Sequence, residues 1–245
     1  MHIIDTHSHA TNLEGVDKII YACADPDDVE KVFAAAAKNE NIFCTLGIHP
    51  QYAGAEPNYE HLLSDPKVVG VGEIGLDYHP SPQGGAGTSP EDKKRQIELF
   101  QRQLEIARRA NLPVAIHSRD AESDTAEILK DMPAAGVMHC FTSGYGFAHV
   151  MLDRGFYISA SGIVTFKNAG GLRDTFAKIP PDRILAETDS PWCAPVPHRG
   201  EECAPAMVVE TIKVLADVKK IPMVEMAGIL WDNAHRLYPK LCRDK

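Results

Sequence analysis

The chain has 245 residues, 44% hydrophobic and 24% charged, with a net charge of −9. That is an ordinary globular composition, long enough for two small domains or one large α/β barrel. The charge argues against a broad basic nucleic-acid surface. No stretch approaches the ~18 consecutive apolar residues of a membrane-spanning helix, and no basic-then-apolar secretory signal opens the chain, so a cytoplasmic location is expected.

Apolar, β-rich runs alternate with helical patterns throughout. Strands are expected over 2–9, 18–24, 42–49, 68–77, 113–119, 136–141, 156–162 and 184–189. Helices are expected over about 27–40, 90–111, 122–132, 145–154, 171–178, 204–219 and 223–237. The segment 90–111 is the clearest, with Pro90 at its start, acidic residues in the first turn, and Ile97, Leu104 and Ile106 on an apolar stripe. The interval between the first two strands is too short for a good helix. "SPQGGAGTSP" (81–90) reads as a flexible loop between the fourth strand and its helix. Parallel strands need long crossovers, and eight strand-then-helix units are the count of a single (β/α)8 TIM barrel covering 1–245. A doubly wound open sheet is the alternative. The six cysteines (23, 44, 140, 193, 203, 242) show no CxxC spacing and sit mostly in apolar runs, which reads as reduced packing residues.

Chemistry-bearing residues collect at the ends of these strands. In "IIDTHSHA" (3–10), Asp5, His7 and His9 occupy alternate positions and would project from one side of an extended strand. Of eleven histidines, His7, His9, His49, His79, His117 and His139 fall at or just after strand C-termini, and so do Glu73, Asp77 and Asp189. Barrel active sites are built at this end. A single histidine there is most simply a hydrogen-bonded core residue. The whole set is a ligand group for divalent metal, because buried ionisable groups need partners and imidazole with carboxylate suits such ions. His7, His9, His117, His139, Glu73 and Asp189 are too many for one tetrahedral ion. They suit two ions about 3.5–4 Å apart, with Glu73 as the bridge and Asp189 both binding one ion and taking the proton of the attacking water. Asp5, deeper in the strand, is expected to hold a histidine ring nitrogen.

An ordered set of motifs carries a resemblance from about residue 3 to 238: "IDTHSH" (4–9), "GIHP" (47–50), "GEIGLDY" (72–78), "QRQLEIARRANLPVAIHSRDA" (101–121), "HCFTSG" (139–144), "SGIVTFKNA" (161–169), "AETDSPWCAPVPHRG" (186–200) and "NAHRLYP" (233–239). The chain resembles the TatD family of metal-dependent hydrolases, described as deoxyribonucleases, in the amidohydrolase superfamily. The resemblance implies that His7, His9, Glu73, His117, His139 and Asp189 are the metal ligands. It places His49 and Asp77 in the site as substrate contacts or as part of a third ion's site. It also implies activity with magnesium or other divalent ions, whereas imidazole ligands suit zinc or manganese. The chain departs from the family's pattern at His79-Pro80, which reads more simply as a shortened strand end than as an added ligand, and at "CAP" (203–205), where a polar contact near the mouth is put in doubt.

Hydrolysis of a phosphodiester also calls for cations beside the metals. Arg119, Lys167 and Arg199 are placed to reach a phosphate, and Trp192 to stack a base or to pack. So few cations suit DNA ends or single strands better than long duplex. The rival hydrolase reading is an ester or amide substrate, as for a cyclic amidase, lactonase or aminoacyl-tRNA deacylase. Many such barrels bridge their metals with a modified lysine at strand four, where this chain has Glu73 and no lysine beyond Lys67. A non-catalytic metal-dependent binding protein would be expected to lack the general base, yet Asp189 is present.

Overall fold

A computed structural model describes residues 1–80, 89–131 and 135–242. Most of the Gly-rich segment read as a loop, 81–88, lies outside them. Eight strands run in parallel, each paired with the next: β1 (Ile4–Ser8), β2 (Lys18–Ala22), β3 (Ile42–Leu46), β4 (Val68–Asp77), β5 (Val114–Arg119), β6 (Gly136–Met138), β7 (Tyr157–Ala160) and β8 (Ile184–Ala186). Helices fill most crossovers: α1 (Val29–Ala37), α2 (Pro90–Ala110), α3 (Glu122–Lys130), α4 (Tyr145–Asp153) and α5 (Gly170–Lys178), with α6 (Val208–Lys219) and α7 (Met223–Leu237) after β8. No helix separates β1 from β2. This is the (β/α)8 barrel and not the open sheet. No helix among the described residues is long and apolar enough to cross a membrane.

α2 is the best-encoded helix. Ser89 Oγ caps it by accepting from Asp92 N at 3.1 Å, Pro90 starts it, and Asn111 ends it in the left-handed region at φ 52°. Its buried Gln103 reaches inward, exchanging two hydrogen bonds with the backbone of Ile48, and so fixes the segment that carries His49.

The barrel interior is a layer to which every strand contributes one residue: Ile4, Ile20, Phe43, Val69, Ala115, Val137, Tyr157 and Leu185. Ala234, Leu237 and Tyr238 from the α7 end plug it on the side away from the strand C-termini. Strand side chains alternate, so the inward positions two residues on from Ala115, Val137 and Leu185 are His117, His139 and Glu187. The polar cluster thus stands on a close-packed apolar floor. Register shifts interrupt the alternation in β1, between Asp5 and Ser8, and in β4, between Val71 and Ile74, and these irregular stretches carry His7 and Glu73.

The last seam, β8 to β1, is held by loop backbone and one side chain. Asp189 N donates to His7 O at 3.0 Å and His9 N to Ser190 O at 2.7 Å. Asp5 Oδ1 accepts from Thr188 N at 3.0 Å and from His7 N at 3.3 Å, and Asp5 Oδ2 bonds the Thr188 hydroxyl. Asp5 therefore fastens the two ends of the barrel together and holds no histidine ring. The break in β1 alternation explains why it does not share the direction of His7 and His9.

Candidate metal centre

Glu73 is the hub. Its carboxylate is buried, and its two oxygens face two different histidine sets. Oε2 lies 3.5 Å from His7 Nε2 and 3.5 Å from His9 Nε2, with Asp189 Oδ1 3.9 and 3.7 Å from the same two nitrogens. Oε1 lies 2.8 Å from His139 Nε2 and 3.0 Å from His117 Nδ1. Donors about 2.1 Å from a shared tetrahedral ion stand about 3.4 Å from one another, so the first set fits an ion almost as it stands. The second is slightly tighter. A buried orphan supports the fit, since His7 Nε2 has no hydrogen-bond partner although it is shut away from solvent.

Carboxylates behind the second set orient its rings. His117 turns Nε2 to Asp77 Oδ2 at 3.1 Å, and His139 turns Nδ1 to Glu187 Oε1 at 3.3 Å. Each imidazole thus has one nitrogen aimed at Glu73 and the other held by a carboxylate, the arrangement that fixes tautomers at metal sites. Glu187 also accepts from Cys140 N. It plays the part expected of Asp5; sequence reasoning misses it, although the alternation Leu185, Glu187, Asp189 is a signal that could have found it. Gly75 allows β4 to come close enough, because at φ +145° a Cβ there would stand 1.9 Å from His117 O.

His49 joins the cluster in a different role. Its Nε2 is 3.6 Å from Glu73 Oε1, but its Nδ1 accepts from Gln51 N at 3.2 Å. Burial lowers its pKa to about 3, so the ring is neutral with one lone pair, already engaged at Nδ1. In this tautomer Nε2 carries a hydrogen and can donate to a substrate oxygen, while the ligand atoms of His49, Glu73 and His117 also lie within 4.8 Å of one another, as an ion's site requires.

The protons of the cluster follow the carboxylate. Burial opposes charge on His139, but Glu73 and Glu187 raise it well above the usual imidazole range. Burial likewise opposes charge on His9 and His117, but the Glu73 carboxylate raises both, helped by the Asp189 charge at His9 and by the hydrogen bond to Asp77 at His117. Burial and the His139 charge lower His7. Glu73 is held well below the carboxylate range by the histidines around it, against its own burial.

The centre opens into a cleft of about 540 Å³ that Arg119 and Trp192 also line. Trp192 is 59% exposed, with its ring 5.1 Å from that of His9. The other two candidate phosphate contacts do not line this cleft. Lys167 is exposed, and the Arg199 guanidinium stacks 3.9 Å over the Phe166 ring. His79 is also outside, paired with Asp120 at 2.7 Å on the surface beyond the end of β4. Cys140 and Cys193, read from sequence as packing residues, line the cleft instead.

A parallel eight-stranded barrel with histidines and carboxylates gathered at its strand C-termini defines a metal-dependent hydrolase. Residues 4–239 match the family model described as TatD related DNase. The chain is 38% identical to the uncharacterized metal-dependent hydrolase YcfH of Escherichia coli K12, over 97% of this chain and 96% of that protein. It is 34% identical to the uncharacterized metal-dependent hydrolase YabD of Bacillus subtilis, over 96% and 98%. Among solved structures, YjjV, a TatD homologue from Escherichia coli K12, matches with a TM-score of 0.82 and 28% identity, covering 97% of this chain and 98% of that one. The chain belongs to the TatD family.

Proposed function

We propose that this hydrolase cleaves phosphodiester bonds of DNA, acting on ends or single strands with divalent ions held by His7, His9, Glu73 and Asp189 on one side and His117, His139 and Glu73 on the other. The observation that carries the reading is the division of the two Glu73 oxygens between two histidine sets. Such a bridge suits a pair of ions, which when bound lower the pKa of a water and neutralise charge on a phosphoryl group. Magnesium, manganese and zinc are the candidates, with imidazole favouring the last two.

The chain's own groups supply the rest. Asp189 takes the proton of the attacking water, its Oδ1 turned to His7 and His9 and its other oxygen away from them. Arg119 and the Nε2–H of His49 bind non-bridging phosphate oxygens from the cleft wall. Trp192 offers an exposed indole face on which an unpaired base stacks. Asp77 and Glu187 keep the His117 and His139 rings turned toward the reaction. One arginine and one indole suit a strand end better than a long duplex.

The test is incubation of metal-reconstituted protein with end-labelled single-stranded DNA, beside an Asp189→Asn variant and a panel of esters and amides. Shortening of the labelled strand by the unmodified protein only, with the variant reduced at least ~100-fold, is the expected result. Intact DNA with every metal, together with turnover of an ester or amide, would sink the nuclease reading.

A further inference from the structure

We propose that Cys140, Cys193 and Asp189 form a second, sulfur-rich cation site that takes a soft divalent ion of the zinc class. Their ligand atoms all lie within 4.8 Å of one another. Cys193 Sγ stands 3.5 Å from Asp189 Oδ2, and a sulfur about 2.3 Å and an oxygen about 2.1 Å from one tetrahedral zinc are about 3.6 Å apart. Two sulfurs on the same ion would lie about 3.8 Å apart, inside the same envelope. A pair of thiolates selects zinc-class ions over magnesium or calcium, which prefer oxygen. Three protein donors leave the fourth position to water.

The site is built by the backbone and is not an accident of surface side chains. Six non-glycine residues among those described have positive φ, and three of them meet here: Cys140 at 42°, Asp189 at 59° and Cys193 at 56°. Such conformations cost free energy and persist only where surroundings impose them. Glu187 holds Cys140 N, Asp189 N is tied to His7 O, and the Cys193 carbonyl passes so close to Gly162 that a Cβ there would stand 2.1 Å from it. The two cysteines come from the ends of β6 and β8, 53 positions apart in the chain (193 less 140), so no local spacing announces them.

Asp189 connects this site to the histidine cluster. Oδ1 faces His7 and His9, while Oδ2 faces Cys193. Oδ2 is also the oxygen left free to take the water proton, so a soft ion held here competes with that role and would suppress hydrolysis while bound.

Cobalt(II) reads the site without any substrate, so the outcome is independent of the nuclease reading. Reduced, chelator-stripped protein is titrated with cobalt under anaerobic conditions, beside Cys140→Ser, Cys193→Ser and the double variant. The expected result is an intense near-ultraviolet sulfur-to-cobalt absorption in the unmodified protein that is lost in all three variants. The weaker visible bands of the histidine-bound cobalt and the thermal melt are retained, which shows that the variants fold. Elemental analysis is expected to find one cobalt fewer per chain in the double variant. Absence of the sulfur band at excess cobalt, or its survival in the double variant, overturns the proposal.

Discussion

Glu187→Gln tests whether the carboxylates behind the histidines set metal affinity. Glu187 is 1% exposed and touches His139 Nδ1 at 3.3 Å and Cys140 N through the same oxygen. The amide is nearly isosteric, so its carbonyl can keep both contacts while the charge is removed. A hydrogen bond to a charged acceptor contributes about 1.5–3 kcal/mol and a neutral one about 0.5–1.5. The difference, roughly 1.4 kcal/mol, is about a tenfold loss of affinity. Calorimetric titration of manganese into chelator-stripped protein should show that weakening for the ion held by His139. The ion shared by His7 and His9 should be nearly unaffected. Equal affinities for variant and unmodified protein, or equal weakening of every bound ion, would refute the assignment of His139 to a Glu187-oriented metal ligand.

Other consequences are as direct. Asp5→Ala leaves Thr188 N and His7 N without an acceptor in a dry seam, at roughly 1–3 kcal/mol for each buried donor. Its denaturation midpoint should fall while the metal bound per folded chain stays unchanged, and an unaltered midpoint would remove Asp5 from the seam. Gly162→Ala forces the Cys193 loop to move, because the added Cβ meets Cys193 O at 2.1 Å; a drop in melting temperature and loss of the cobalt–sulfur band are expected. Metal affinity should rise with pH through and above the ordinary imidazole value of 6.5, because His9, His117 and His139 are raised and must shed protons to bind. Chelated protein behaves differently. Glu73, lowered from 4.5, contributes stability above that value that is lost as pH falls through its folded pKa. His139, raised from 6.5, contributes stability below that value that is lost as pH rises through its folded pKa. Melting temperature of the metal-free protein, followed against pH, should therefore peak between the two.

Much of this was legible in the residues. All eight strands begin within two residues of where the apolar runs place them, because a strand buried on both faces must be apolar nearly throughout. The C-terminal ends of β4 and β5 fall where expected, at Asp77 and Arg119, whereas the other six strands end one to three residues sooner. His49, His139 and Asp189 lie past β3, β6 and β8, in loop backbone where polar residues hold the chain as a ladder would. Alternation works where the strand is regular, at Ala115 and His117 or Val137 and His139, and misleads where β1 shifts register, which is why Asp5 was given a histidine to hold. The rule that suggests a common side for His7 and His9 also connects Leu185, Glu187 and Asp189, and so puts Glu187 beside the histidines. Arg199 shows the opposite failure. Its motif position suggested a phosphate contact, but the ring of Phe166 offers its guanidinium a nearer partner. Cys140 and Cys193 were invisible as a pair, since proximity across a barrel rim leaves no spacing in the chain.

The placement of Trp192 gives the protein a built-in optical gauge. The chain has two tryptophans, and their surroundings differ. Trp231 sits by His2 and His235 with ring centroids 5.0 and 4.5 Å away, packed against the apolar layer that closes the other end of the barrel. Trp192 stands edge-on to His9 at the cleft. Protonated imidazole quenches indole emission by accepting an electron, and below the raised pKa of His9 a closed-shell ion that displaces its proton removes that acceptor. Zinc or magnesium loading should therefore brighten the rim fluorophore and leave the one at the base unchanged, so occupancy of the His7–His9 side can be followed by emission alone.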